Sequence, residues 1–387
     1  MSFNLIREAW LPVRTSSGAR RVIRPAEIAQ RENPPVAFDY PRPDLETAAH
    51  ELLIGLLSVA LAPRDNQEWR RRYQEAPSVA ELDDLFAPLA GAFDLDGDGP
   101  RFCQELGGLD GAPNPIDSLF IDAPGENAAK KNSDLLTHRG RYGALSRAAA
   151  AIALYALQSA APSGGAGIRT SLRGGGPLSL MLLPPDDAEG AAPPLWRRLW
   201  ANVVELSALD EEADPDPELA RVFPWLAPPI GDGKLQPSDP RTHPWQAFFG
   251  APRRLWLIFE EGRALCPILG VEDTRPAVGV VQKPRGVDYG LWTHPLTPYR
   301  RQKEAGEPYS AKPKSGRLGY RDWVAGVLGD AHGLRMPPAC VTAAGRRAST
   351  LTHDGAARLR ARAAGWAMNN MEARAYLLAE EPLHLAR

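Results

Sequence analysis

The chain has 387 residues, more than one ordinary domain needs, so either one large elaborated domain or two coupled ones is expected. With 24% charged residues, 44% hydrophobic residues and a formal net charge of −2 it is an ordinary globular composition, so nucleic-acid binding would have to come from local clusters of charge. Cys103, Cys266 and Cys340 are too widely spaced for a disulfide framework or a CxxC zinc site, and no export signal or membrane-length apolar run is legible, so a soluble cytoplasmic protein is expected.

Phe3 to Val13, with Trp10, and Arg21 to Ile23 flank a Ser-Ser-Gly turn and read as an N-terminal hairpin. Apolar residues at helical spacing predict a core helix from Asp44, as N-cap, through Leu61, with Pro63 ending it. Gln67 to Tyr73 and Val79 to Ala92 predict shorter helices, the second opened by a Ser78 and Glu81 capping box. Asp94, Asp96, Asp98, Gly99 and, in twelfth position, Glu105 spell a calcium loop. Arg101 stands where an apolar residue is usual, and Gly107, Gly108, Pro113 and Pro115 forbid the helix that should carry Glu105, so a polar turn is the better reading.

Leu119 to Asp122 reads as a short strand entering a polar loop, with Lys130, Lys131 and Asn132 near its tip and Phe120 as a ring able to stack on a base. Lysines on a loop also serve simply as a solvated surface. An Ala-rich helix from Ala144 to Ala161 then delivers the chain into the segment Ala161 to Gly176, which holds six of the 35 glycines together with Arg169 and Arg173. Bare backbone can approach a partner closely, and the arginines and hydroxyls are donors, so an acceptor-rich ligand such as phosphate or a nucleic-acid groove is indicated. There is no Gly-Lys-Ser/Thr, and the order is helix, loop, strand, so neither a Walker A nor a dinucleotide fingerprint is present. A glycine-rich connection without a ligand stays open.

Leu178 to Leu183, Leu255 to Glu260 and Val278 to Gln282 read as strands, Leu195 to Leu206 as an amphipathic helix with Trp196 and Trp200, and residues 207 to 254 as irregular arms. Arg300, Arg301, Lys303, Lys312, Lys314, Arg317 and Arg321, interleaved with Tyr299, Tyr309 and Tyr320, suit either a solvated face or phosphate contact, and Arg346, Arg347, Arg358, Arg360 and Arg362 extend the basic character. The histidines lack ligand spacing and the cysteines lack a nucleophile signature, so no catalytic residues, metal or cofactor are assigned.

Several strings, in order along the chain, resemble the CasA family, the large subunit of type I-E CRISPR Cascade. They are Phe3 to Ile6 with Trp10 to Val13, Leu119 to Gly125 with Lys130 to Asn132, Ala161 to Leu178, Gly290 to Pro295, and Gly365 to Arg374. The resemblance implies an α+β fold over residues 1–387, one large mixed domain with extensive irregular loops and without the family's C-terminal four-helix bundle. It implies a non-catalytic subunit that reads the protospacer-adjacent motif of double-stranded DNA through the minor groove and helps open the duplex for the guide RNA. Gly164, Gly165, Ala166 and Gly167 would enter the groove with Lys283, Arg285 beside it being the neighbouring candidate, and Asn369, Asn370 and Met371 would form the wedge. Phe120, Asp122, Lys130, Lys131 and Asn132 match the loop that docks on the 5′ handle of the guide RNA. Other Cascade subunits and a helicase-nuclease are the implied partners. Three departures are visible: Asn370 replaces a frequent glutamine, Cys266 has no companion of the zinc cluster some relatives carry, and the sequence stops at Arg387 soon after the wedge motif. The rival readings are an enzyme holding a phosphorylated small molecule at the glycine loop and a structural module without nucleic-acid contact.

Overall fold

The N-terminal hairpin forms as its pattern predicts: β1 (Leu11–Thr15) pairs antiparallel with β2 (Arg20–Ile23), and β3 (Pro35–Phe38) adds to the other side of β1. The computed structural model of the protein describes residues 2–125, 130, 132, 140–187, 189–230, 233–314, 316, 323, 326–330, 332–351, 359–369 and 371–383. Helix α1 (Pro43–Leu61) is the centre of the core and is buried on nearly every side. Pro43 supplies a preset φ at its first turn, and Arg42, rather than Asp44, is the N-cap. Two short helices follow, α2 (Asn66–Gln74), capped by Asp65, and α3 (Val79–Phe86), opened by the Ser78 and Glu81 capping box and prolonged by a 3-10 turn to Ala92.

Residues Leu119 to Asp122 form no strand. A two-residue strand, β4 (Asn114–Pro115), and a 3-10 turn (Ile116–Leu119) precede a bend there, because Pro115 and the burial of Ile116, Leu119 and Phe120 favour a compact turn over an extended ladder. Helix α4 (Arg147–Ala160) starts later than its composition suggests, at a Ser146 cap, and its alanines let it lie close against α1. The chain then passes through the glycine segment into β5 (Ser179–Leu183), which is buried throughout. The amphipathic helix beyond is short, α5 (Leu195–Trp200), and it locks onto α2 by reciprocal bonds: Trp69 Nε1 donates to the Trp200 carbonyl at 3.2 Å, and Trp200 Nε1 to that of Trp69 at 2.9 Å.

The irregular region carries β6 (Lys234–Leu235) and the single-turn helices α6 (Leu219–Val222) and α7 (Gln246–Phe249). Its rings are core: Phe223, Trp225 and Phe249 form one cluster with Phe93 and Phe102. Strand β7 (Arg254–Phe259), a small hairpin of β8 (Ala264–Leu265) and β9 (Glu272–Asp273), and β10 (Ala277–Lys283) follow, with sheet order β4-β10-β7. Then β11 (Asp288–Tyr289) pairs with β6, and β12 (Tyr299–Arg300) lies between β13 (Tyr309–Ser310) and β14 (Arg335–Met336). After α8 (Ala339–Leu351) the longest hairpin, β15 (Arg360–Asn369) and β16 (Glu372–Pro382), joins β5 in the order β16-β15-β5. The architecture is α+β, several small sheets around one large hydrophobic core.

Candidate nucleic-acid interface

The glycine segment is a loop whose ends are tied together. Ser171 N donates to the Ala161 carbonyl at 2.9 Å and Gly176 N to that of Ala160 at 3.0 Å, so the segment leaves α4 and returns to the same place. Its tip is a small turn, with Ile168 N donating to the Gly165 carbonyl at 3.2 Å, and Gly164, Gly165, Ala166 and Gly167 are all exposed.

The arginines of this segment already have protein partners, Arg173 inside the core and Arg169 near the surface, which corrects the expectation that they await an acceptor-rich ligand. Arg173 is 5% exposed and forms a buried pair with Glu51 of α1, its guanidinium reaching the two carboxylate oxygens at 3.0 and 2.6 Å. Ser179, Thr297 and the Ser159 carbonyl take further bonds from it. Burial opposes its charge, yet Glu51 more than compensates and its pKa is raised. Arg169 reaches across to the Asp288 carboxylate at 3.0 Å and the Gly286 carbonyl at 3.3 Å. Arg253 staples the loop from below, donating to the carbonyls of Pro162 and Arg169, and burial lowers its pKa to about 10.

These bonds bring the loop against the end of β10. The Arg285 N–H donates to the Gly167 carbonyl at 2.8 Å. Gly167 has φ +77°, and a Cβ there would lie 2.9 Å from Pro284 Cβ, so only glycine fits this contact. Arg285 itself has φ +61° and is exposed, with no side-chain hydrogen bond or ion pair among the described residues. Half-buried Lys283 precedes it and lays its ammonium over Gly111. Gly164 to Gly167 and Arg285 therefore share one ridge, and Lys283 lies two residues before its turn.

The third element stands on the same scaffold. Gly176, at φ +60°, lies where a Cβ would be 2.6 Å from Met368 Cγ and 2.8 Å from the Trp366 carbonyl, which packs the glycine segment onto β15. From there β15 runs to Asn369, paired with Glu372 across the hairpin. Met371 at the tip is 54% exposed with φ +70°, while Asn370 lies outside the described residues.

The segment from Phe120 to Asn132 divides in two. Phe120 is 3% exposed, with the Arg42 guanidinium 4.6 Å over its ring and Tyr142 against it at 4.9 Å, so it is not the free stacking ring expected. Asp122 pairs with Arg42 at 2.9 Å and Arg141 at 3.1 Å; burial works against its charge, and the two arginines overcome this and hold its carboxyl below the usual range. These two positions build the base of the loop, and the arginines that do so, distant in sequence, carried no local signal. Lys130 and Asn132 are exposed, and Lys131 lies outside the described residues.

Two of the other basic positions are structural. Arg347 is buried against Glu205 at 2.8 Å and stacks over Trp69, and Arg362 bridges Glu46 and Glu380 at 2.7 Å each. Arg317, Tyr320, Arg321 and Arg358 lie outside the described residues. The calcium-like carboxylates are occupied separately: Asp94 by Ser2 and Asn4, Asp96 by Arg275 at 2.9 Å, and Glu105 by Arg254 at 2.7 Å. Cys266 is buried in the β8–β9 hairpin, and no cluster of metal ligands occurs among the described residues.

The model of the CRISPR-associated protein Cse1 family matches residues 4–386. Among solved structures the chain is similar to Cse1 of Thermobifida fusca, with a TM-score of 0.72 at 19% identity over 99% of this chain and 74% of that one. CasA of Thermus thermophilus gives 0.70 at 19% over 99% and 72%, and a chain of a CRISPR RNA-guided surveillance complex gives 0.70 at 17% over 99% and 76%. At such identities the structures establish the fold, while the family match spans nearly every residue: the chain belongs to the CRISPR-associated Cse1 family.

Proposed function

We propose that this protein is the large, non-catalytic subunit of an RNA-guided Cascade surveillance complex, and that it reads the protospacer-adjacent motif of double-stranded DNA from the minor groove. The observation that carries the reading is the exposed glycine backbone held against the turn that carries Arg285, with Lys283 two residues before it. A minor groove is narrow, so bare backbone enters where side chains would clash, and flanking cations meet the phosphates on its walls. Its degenerate donor and acceptor pattern suits a tolerant motif reader. The hairpin tip at Asn369 to Met371 then wedges the first base pair, a step costing roughly 1.4 kcal/mol of stacking plus the pairing, and guide RNA takes over the sequence readout. Lys130, Lys131 and Asn132 touch the 5′ handle of the guide on a base clasped by Phe120 and Asp122. The assembled complex recruits a helicase-nuclease for cleavage. An enzyme site for a phosphorylated small molecule is disfavoured, because Arg173 is buried against Glu51 and Arg169 is already paired with Asp288.

A mobility-shift comparison of guide-loaded complex with and without this chain tests the proposal. The duplexes match the guide and differ only in the two or three flanking pairs. Tight binding that requires both the chain and particular flanking pairs is expected; binding indifferent to either would refute it.

A further inference from the structure

We propose that the outer face of the β12–β14 sheet binds a single strand of DNA parted from the target duplex, an inference that rests on the duplex-opening function above. The register places Arg300 opposite Tyr309 on one side and opposite Arg335 on the other, so the three side chains form one row on one face. The adjacent row, Ser310, Tyr299 and Met336, turns inward, with Tyr299 5% and Ser310 4% exposed. In the outer row Tyr309 is 47% exposed and Arg335 is also exposed. Exposed Lys312 and Lys314 continue the surface beyond β13. Two carboxylates lie on the connecting turn, Glu304, bonded to His332 at 2.8 Å, and Glu307.

Placement supports this occupant. Ser310 Oγ donates to the Arg173 carbonyl, and the Leu178 N–H to the Ala311 carbonyl at 2.8 Å, so the sheet is fixed to the glycine segment. Pro313 packs on β15, where a Cβ at Gly365 would lie 2.9 Å from its Cγ. The lysines on either side of Pro313 therefore sit along the hairpin whose tip is the wedge, about 13 Å from its end at about 3.3 Å per strand residue. An exposed tyrosine flanked by cations stacks an unpaired base and holds its phosphates, which a closed duplex cannot offer. A strand parted at the tip is delivered to this face.

The test uses guide-loaded complex carrying Tyr309→Ala, Tyr309→Phe or the double change Lys312→Ala, Lys314→Ala. Probes are a fully paired duplex and forked duplexes with unpaired arms of DNA or of RNA, an arm base being 2-aminopurine. Tyr309→Ala is expected to weaken a forked probe about five- to a hundred-fold and to relieve 2-aminopurine quenching, with Tyr309→Phe restoring both and paired-duplex affinity unchanged. The loss is expected on the DNA arm, and a loss confined to the RNA arm overturns the proposal. Wild-type affinity of Tyr309→Ala for every forked probe, or an equal loss on forked and paired probes, overturns the proposal. A wild-type complex blind to the flanking pairs would sink the duplex-reading function instead, and the forked-probe comparison would still decide this one.

Discussion

Arg173 and Arg285 both border the glycine loop, and they do opposite things. Arg173 is buried against Glu51 and accounts for every direction its guanidinium can donate, whereas Arg285 stands exposed on a strained turn with no ion pair among the described residues. The difference lies in what the fold brings to each: α1 carries a carboxylate to Arg173 across more than a hundred residues of sequence, and no described residue brings one to Arg285. A cation near a recognition loop is thus part of the scaffold or part of the surface according to whether the core supplies its counter-charge.

The largest effect should come from breaking the scaffold half. Arg173→Ala leaves the Glu51 carboxylate buried without its partner, and a loss of about 3–5 kcal/mol is expected in chemical denaturation, with failed incorporation into the complex following from it. A stable Arg173→Ala protein that loses only DNA binding would reverse the assignment.

Acid probes the same half. His50 and His294 are buried; burial lowers the His50 pKa to about 3, with Arg362 adding to the shift, and burial together with Arg173 holds His294 well below its ordinary value. The Leu296 N–H donates to His294 Nδ1 at 3.1 Å, which fits the neutral ring. Because the unfolded chain takes up these protons near pH 6.5 and the folded one does not, their contribution is complete above that pH and is lost as pH falls below it. From pH 7.5 to 5.5 the two together should remove about 3 kcal/mol, measured as unfolding free energy against pH, and His294→Gln should roughly halve the slope. A flat profile would show that the scaffold tolerates more charge than its geometry implies.

Gly167→Ala should act at the boundary between the halves. A side chain at φ +77° that also meets Pro284 is strained, by about 1–2 kcal/mol from the backbone alone, and it pushes the loop off the turn carrying Arg285. Stability should fall modestly and preference among flanking pairs should fall further; unchanged preference would mean that the loop and the turn act separately.

How much of this was legible in the sequence follows the same division. The long core helix, the Ser78 capping box, the strands at residues 179–183, 254–259 and 277–283, and the glycine loop are local patterns of spacing and composition, and they stand where the spacing places them. The ridge residues were found by resemblance. Pairings over long separations were not legible: Arg42 and Arg141 clasping Asp122, or Glu51 neutralising Arg173, leave no mark in any short window. For that reason Phe120 and Asp122 read as contacts and Arg169 and Arg173 as ligand donors, since residue type alone does not distinguish a satisfied arginine from a waiting one.

The smallest structural effect and the most selective functional one belong to Arg285→Ala. The side chain touches no partner among the described residues, so its removal should leave unfolding unchanged. If it meets one phosphate beside the groove, the slope of log affinity against log salt should become shallower by about 0.9, with affinity falling on every duplex alike and the ranking of flanking pairs preserved. Lys283→Ala should instead compress that ranking, because Lys283 ends β10 two residues before the turn that holds Gly167 and carries the reading role proposed for it. Uniform loss in one variant and lost preference in the other would divide the ridge into an anchoring and a reading cation. The same response in both would make them a single electrostatic patch, with discrimination left to the glycine backbone alone.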